Sequence, residues 1–163
     1  HGILHSFPTR RSSDLNLTQE EEQPGLDLVA GRLEDVRSFD TPVGRVGVAV
    51  CLDGFDVDTS RGEPRPMPSV VSRLVEQGAE ILVQPSCNTH AWTDDEAAGW
   101  REGLHRRMRE HPGLRCGLNP MMVGQMLDLH PEGRSTLLGP SGAELARATS
   151  PRKGETLVVR CGM

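Results

Sequence analysis

Phe39-Asp40-Thr41-Pro42-Val43-Gly44-Arg45-Val46-Gly47-Val48-Ala49-Val50-Cys51-Leu52-Asp53, residues 39–53, runs through a turn, a strand and a thiol in succession. Residues 41–44, Thr-Pro-Val-Gly, have turn composition, because proline presets its φ and glycine tolerates conformations closed to other residues. Residues 45–50, RVGVAV, are rich in valine and end in an apolar run, which suits a strand buried on both faces. Residues 36–39 predict a short strand before the turn. Cys51 therefore falls at the carboxyl end of a buried strand.

Working forward, Gly54, Gly62, Pro64, Pro66 and Pro68 exclude a continuous helix over residues 53–68 and predict a long loop. A helix follows at 69–77, with Ser69 as N-cap, Val70, Val71, Leu74 and Val75 on one face, and Gly78 as the stop. Residues 79–84, AEILVQ, predict the next strand, ended by Pro85. Strand, helix and strand in this order imply a right-handed parallel crossover, with both strand carboxyl ends on one edge. That edge carries Cys51 and residues 85–92. A second helix is predicted from Thr93 or Asp94 to Glu110, with Asp94, Asp95 and Glu96 at its positive end and Ala97, Trp100, Leu104 and Met108 at helical spacing. His111-Pro112-Gly113 closes it. The remainder reads as β: residues 116–123, 135–138, a turn at 139–142, then 144–148 and 156–161.

Working backward, residues 16–31 are polar and acidic, with Glu20, Glu21 and Glu22 in a row, and read as a loop with at most one helical turn. Residues 1–15, HGILHSFPTRRSSDL, show no helical or strand period. The string SFPTRRSSDL resembles translated sequencing-adapter read-through, so these residues are set aside as non-native. The expected division is an artefact at 1–15 and one domain at 16–163, its amino-terminal part missing.

Composition narrows the function classes. The chain has 163 residues, 36% of them hydrophobic and 25% charged, within the range of a single globular domain. A net charge of -5 and a pI near 5.7 offer no basic stripe for phosphates, so nucleic acid is not an expected partner. No window approaches the roughly 18 apolar residues of a spanning helix, and no signal-peptide pattern is present, so no membrane partner and a cytoplasmic location are expected. Cys51, Cys87, Cys116 and Cys161 form no close pair of the kind that marks a zinc site or redox dithiol, and reduced thiols are expected. Lys153 is the single lysine.

By position alone Cys51 admits two readings. A thiol at a rigid strand end, followed by a turn, leaves the next backbone N–H free to stabilise an oxyanion. The other reading, which position alone favours, is that Cys51 is a small buried hydrophobe. Asn88, His90 and Trp92 follow the second strand on the same edge and are expected to line a substrate pocket. His90 also raises a rival mechanism, a Cys-His thiol hydrolase in which imidazole activates the thiol. His105 and His111 read as surface residues. The alternation of Asp53, Asp56 and Asp58 falls short of a calcium loop, and no metal is expected.

Residues 39–53 resemble the nucleophile motif of the nitrilase superfamily, an apolar strand introduced by T-P-x-G-R-x-G and ending in C-x-D. Gly78-Ala79-Glu80-Ile81-Leu82-Val83-Gln84-Pro85-Ser86 is similar to the family's following G-A-E-hydrophobic-P-S segment. Residues 119–124 and 133–142 resemble its N-x-x-x-x-G and G-x-S-x-hydrophobic-x-x-P-x-G stretches, so four motifs in order span most of 39–142. The resemblance implies an α/β fold, here a partial four-layer αββα sandwich of the carbon–nitrogen hydrolase type, and homo-oligomers when full length.

It further implies a cofactor-free Glu-Lys-Cys hydrolase of a small amide, carbamoyl amide or nitrile, supported by a second glutamate. Cys51 would be the nucleophile, Leu52 would supply the oxyanion N–H, and Glu21, counted on from Asn16-Leu17, matches the second glutamate, with Glu22 close behind. The lysine position matches Asp14, and the first glutamate has no match, so the chain is expected to be inactive as it stands. The competing expectation is a non-catalytic binding or assembly module of the same fold.

Overall fold

Residues 32–55, 57–58, 65–66, 69–125 and 128–159 are described in a computed structural model of the chain. Strands β1 (Phe39–Thr41) and β2 (Gly44–Val48) form a hairpin. Gly44 has φ +130°, and the Thr41 hydroxyl donates to the Gly44 carbonyl at 2.6 Å, closing the turn that the sequence predicts. The helix α1 (Val70–Glu76) leads to β5 (Ile81–Val83), which pairs parallel to β2, and α2 (Asp94–Glu110) leads to β6 (Cys116–Asn119), parallel to β5. Strands β7 (Thr136–Leu138) and β8 (Glu144–Arg147) complete a six-stranded sheet of order β1-β2-β5-β6-β7-β8 by antiparallel pairing.

Both helices begin where capping chemistry predicts. The Ser69 hydroxyl accepts the Ser72 N–H at 3.0 Å, and the Thr93 hydroxyl accepts the Glu96 N–H at 3.2 Å, satisfying donors that the first helical turn leaves free. Gly78, at φ +84°, ends the first helical segment with its N–H bonded to the Val75 carbonyl.

One row across the sheet decides how the helices sit. Gly47, Leu82, Gly117 and Leu138 are in register on neighbouring strands, so they share a face. A Cβ at Gly47 would lie 3.0 Å from the Leu74 Cβ of α1, and one at Gly117 would lie 2.9 Å from the Met108 sulfur of α2. Each glycine is where a helix presses onto the backbone. Leu82, between them, is fully buried in one cluster with Val70, Val71, Leu74, Leu104, Met108, Leu114 and Leu138. The opposite face of the sheet carries Val48, Ile81, Val83 and Leu118 half-buried. The described residues therefore supply a sheet and the helix layer over one of its faces, two adjacent layers of the expected sandwich. Among them no helix is long and apolar enough to cross a membrane.

Four predicted boundaries need correction. Residues 36–38 are not a strand. Gln77 occupies their backbone instead, donating through Nε2 to the Val36 carbonyl at 2.7 Å and accepting the Ser38 N–H at 2.9 Å. The loop over 53–68 contains regular pieces: a 3₁₀ turn over Cys51–Gly54 and a two-residue ladder between β3 (Val57–Asp58) and β4 (Arg65–Pro66). The strand expected over 116–123 stops at Asn119, because Pro120 has no N–H for the ladder, and only an isolated bridge joins Ser86 to Met121. Residues 154–159 carry no strand, since β composition without a pairing partner makes none, and Val158 stands 83% exposed. Residues 160–161 lie outside the described residues.

Replacing Leu82 by alanine empties the space between the helices and should lower the unfolding free energy by about 2–5 kcal/mol. Val158→Ala should change it by less than about 0.5 kcal/mol. Denaturant titration of both variants checks the contrast, and equal losses would contradict the packing described.

Candidate active site

The parallel register of β2 and β5 continues past the last assigned residue. Ala49 donates its N–H to the Val83 carbonyl at 3.0 Å, and Cys51 donates to the Pro85 carbonyl at 2.8 Å. At Cys51 the chain leaves the sheet with φ +50°, a left-handed conformation that costs a non-glycine residue about 1–3 kcal/mol. The following 3₁₀ turn is closed by bonds from the Asp53 N–H to the Val50 carbonyl and from the Phe55 N–H to the Leu52 carbonyl, both 2.9 Å.

A buried amide holds this turn. Gln84, 1% exposed, donates through Nε2 to the Cys51 carbonyl at 2.8 Å. Gly54 makes room for it, since any Cβ there would overlap the Gln84 side-chain amide. Behind Gln84, Asn119 donates through Nδ2 to the Gln84 carbonyl at 2.6 Å and to the Ser86 hydroxyl at 2.9 Å. The Ser86 hydroxyl in turn donates to the Gln84 carbonyl at 3.0 Å. The carboxyl ends of β2, β5 and β6 are locked together beneath the thiol.

Two backbone N–H groups, those of Leu52 and Cys87, hydrogen-bond to the Cys51 sulfur. Burial is the larger influence on this group. It pushes the thiol above its ordinary pKa, and the two N–H donors, which favour thiolate, offset this only in part. The neighbouring Cys87 thiol and Asp53 carboxyl push in the same direction as burial. Cys51 therefore rests as a thiol at neutral pH. Asp53 is 1% exposed, and burial pushes its pKa up to about 8, an effect that the Val50 backbone N–H, which favours the carboxylate, offsets only in part. A protonated, neutral Asp53 is the form that this pocket tolerates at neutral pH.

The remaining residues singled out from sequence are dispersed. Asn88 is 4% exposed, with its side chain committed to a turn: Nδ2 donates to the His90 carbonyl at 3.0 Å and Oδ1 accepts the His90 N–H at 3.4 Å. The His90 side chain is exposed. Trp92 is half-buried, and its backbone N–H donates to Glu132 Oε2 at 2.9 Å. It lines a cavity of about 190 Å³ together with Trp100, His105, Asn119, Arg134 and Thr136. That cavity lies under α2, and Cys51 is not among its lining residues. His105, expected at the surface, is half-buried there, its Nδ1 3.1 Å from the Gly142 carbonyl. Glu21, Glu22 and Asp56 lie outside the described residues.

Sequence reasoning missed Gln84, Cys87 and Asn119 as parts of this site. For Cys87 a signal was present, because it stands just past the end of the strand that runs parallel to the one ending in Cys51. The shared strand edge is legible in the sequence, whereas the approach of the Cys87 N–H to the Cys51 sulfur depends on the turn at Cys51.

The sequence matches no protein-family model and none of the curated proteins. Solved structures do match. A carbon–nitrogen hydrolase from Helicobacter pylori G27 superposes with a TM-score of 0.58 at 21% identity, over 78% of this chain and 43% of that one. A Saccharomyces cerevisiae member of branch 10 of the nitrilase superfamily gives 0.58 at 19% identity, over 77% and 40%. A mutant of the amidase from Nesterenkonia sp. AN1, showing the result of Michael addition of acrylamide at its active site cysteine, gives 0.57 at 19% identity, over 78% and 42%. The chain has the fold of these nitrilase-superfamily proteins, in agreement with the α/β class and sandwich type expected from its motifs. It spans less than half the length of each.

Two outcomes test this geometry. Asp53 has a folded pKa of about 8 against an ordinary 3.8, so its contribution to stability is fully present below pH 3.8 and is lost as pH rises through 8. Asp53→Asn should flatten that decline, which for one proton is at most about 1.4 kcal/mol per pH unit. Denaturant titrations across this range would show it, and identical slopes in both proteins would contradict it. Gly54→Ala should displace Gln84 from the Cys51 carbonyl and cost about 1–3 kcal/mol, read as a lowered melting temperature.

Proposed function

We propose that Cys51 is the nucleophile of a hydrolase acting on non-peptide carbon–nitrogen bonds of a small amide, carbamoyl amide or nitrile. The observation that carries this reading is a thiol in a left-handed turn at a strand end, with two backbone N–H groups aimed at its sulfur, in a chain of nitrilase-superfamily fold. Such N–H groups stand next to the point where an attacked carbonyl oxygen or nitrile nitrogen gains charge, and they need no reorganisation to meet it.

The steps follow from these groups. Once a base has taken the Cys51 proton, the sulfur bonds to the substrate carbon and the charge develops beside the Leu52 N–H. With an amide, the carbon–nitrogen bond breaks, the nitrogen takes a proton, and ammonia or an amine departs, leaving a thioester. Water attacks the thioester carbon, the carbon–sulfur bond breaks, and the product acid leaves with the thiol restored. Neither metal nor cofactor enters these steps.

The base is the open part of the reading. Among the described residues the side chains acting on the Cys51 sulfur are Cys87 and Asp53, and both oppose thiolate formation. The base and the cation that would stabilise the developing charge are therefore assigned to residues outside the described ones, with Glu21 proposed as the supporting glutamate. Lys153, the single lysine, lies in an exposed segment after β8, so we propose no turnover for the 163-residue chain alone, and homo-oligomeric assembly for the full-length protein. Asn88, His90 and Trp92 are proposed to shape the substrate approach.

A specific observation favours a second reading. Cys51 is only 9% exposed and its thiol is held protonated, as in a non-catalytic module that uses cysteine as packing. Acrylamide labelling of the folded chain, followed by peptide mapping, separates the two. Under the nucleophile reading Cys51 is labelled in the native protein, faster as pH approaches 9. Labelling of Cys51 only after unfolding would overturn that reading. Cys51-dependent release of ammonia from small amides would confirm the nucleophile and overturn the assignment of no turnover.

A further inference from the structure

The contact that orients the Cys51 sulfur also brings a second thiol beside it. Cys87 donates its own backbone N–H to that sulfur, and its side chain branches from the next atom along the chain. Both backbones are fixed: Cys51 by its bond to the Pro85 carbonyl at 2.8 Å, and the segment before Cys87 by the bond from the Ser86 N–H to the Pro120 carbonyl at 3.0 Å. A disulfide requires neighbouring backbones, and the bond from the Cys51 N–H to the Pro85 carbonyl together with the Cys87 N–H contact makes these two backbones neighbours. Neither cysteine is committed to a disulfide here.

The third described cysteine is out of reach. Cys116 pairs with Ile81, which pairs with Val46, so it lies at the amino-terminal end of the parallel strands. Cys51 lies past their carboxyl ends.

We propose that Cys51 and Cys87 form a reversible oxidation site, a vicinal thiol pair that a peroxide converts to a disulfide. Cys87 is half-buried and Cys51 nearly enclosed, so the peroxide meets Cys87 first. The Cys87 thiolate attacks one peroxide oxygen, the oxygen–oxygen bond breaks, and hydroxide leaves, giving a sulfenic acid at Cys87. The Cys51 thiolate then attacks the Cys87 sulfur, the sulfur–oxygen bond breaks, and a second hydroxide leaves. The two hydroxides take up the two thiol protons. In sum, two thiols and one hydrogen peroxide become one disulfide and two waters, the sulfurs losing two electrons and the peroxide gaining them. Burial raises both thiol pKa values, so the pair resists oxidation at neutral pH and reacts faster in alkali. The disulfide caps Cys51 reversibly and spares it from sulfinic and sulfonic acid.

This site does not depend on the hydrolase reading, because it needs only the geometry of the two thiols. The test is treatment of the full 163-residue chain with hydrogen peroxide, trapping with N-ethylmaleimide, and peptide mapping without reduction. The expected result is a Cys51–Cys87 linked peptide that disappears on adding dithiothreitol and forms faster at higher pH. In Cys87→Ser, irreversible oxidation of Cys51 should rise about tenfold over the unsubstituted chain. The proposal is overturned if the oxidised wild-type chain carries Cys51 sulfinic acid beside free Cys87. It is likewise overturned if Cys51 bonds chiefly to Cys116 or Cys161, or if no linked peptide forms under conditions that oxidise the unfolded chain.

Discussion

The hydrogen bond from the Gln84 side-chain amide to the Cys51 carbonyl is the constraint on which the site depends. A left-handed cysteine persists only when its surroundings leave no other choice. Here the Cys51 N–H is taken by Pro85, its carbonyl by Gln84, and the next residues by a 3₁₀ turn. Gln84 is held in turn, its N–H on the Leu118 carbonyl and its carbonyl under Asn119 Nδ2. Three strand ends therefore converge on one turn, and the turn aims the N–H groups of Leu52 and Cys87 at one sulfur.

Electrostatics at that sulfur is a contest between enclosure and oriented donors, and enclosure wins at rest. The same enclosure holds the Asp53 carboxyl neutral at physiological pH. An enclosed thiol facing two fixed N–H groups is poorly prepared to ionise by itself. It is well prepared to receive charge once a base acts, because donors in a low-dielectric site interact more strongly with developing charge than donors in water.

Further from the site, the alternation of glycine and leucine across the sheet sets where the helices lie. Gly47 and Gly117 admit α1 and α2 to close approach, and Leu82 and Leu138 fill the space beside them. Close approach fixes the crossover helices against the parallel strands, and so fixes where the strand ends emerge. The position of Cys51 is in this sense a consequence of packing that begins several residues earlier.

Local chemistry wrote much of this fold into the sequence. Ser69 and Thr93 cap their helices through their own hydroxyls, Gly44 and Gly78 adopt positive φ at turns, and RVGVAV has one natural use as a buried strand; each depends on near neighbours in the chain. For the same reason the strand end bearing Cys51, and the edge it shares with residues 85–92, were legible. Tertiary structure decided what depends on distant partners. Residues 36–38 bond to Gln77 rather than to a strand, the segment at 154–159 finds no ladder, and Asp53 is buried. Cys87 donating to the sulfur of Cys51 belongs to the same class. Propensity and capping act over a few residues and can be read in order, whereas burial and long-range hydrogen bonding depend on which strand ends the folded chain brings together.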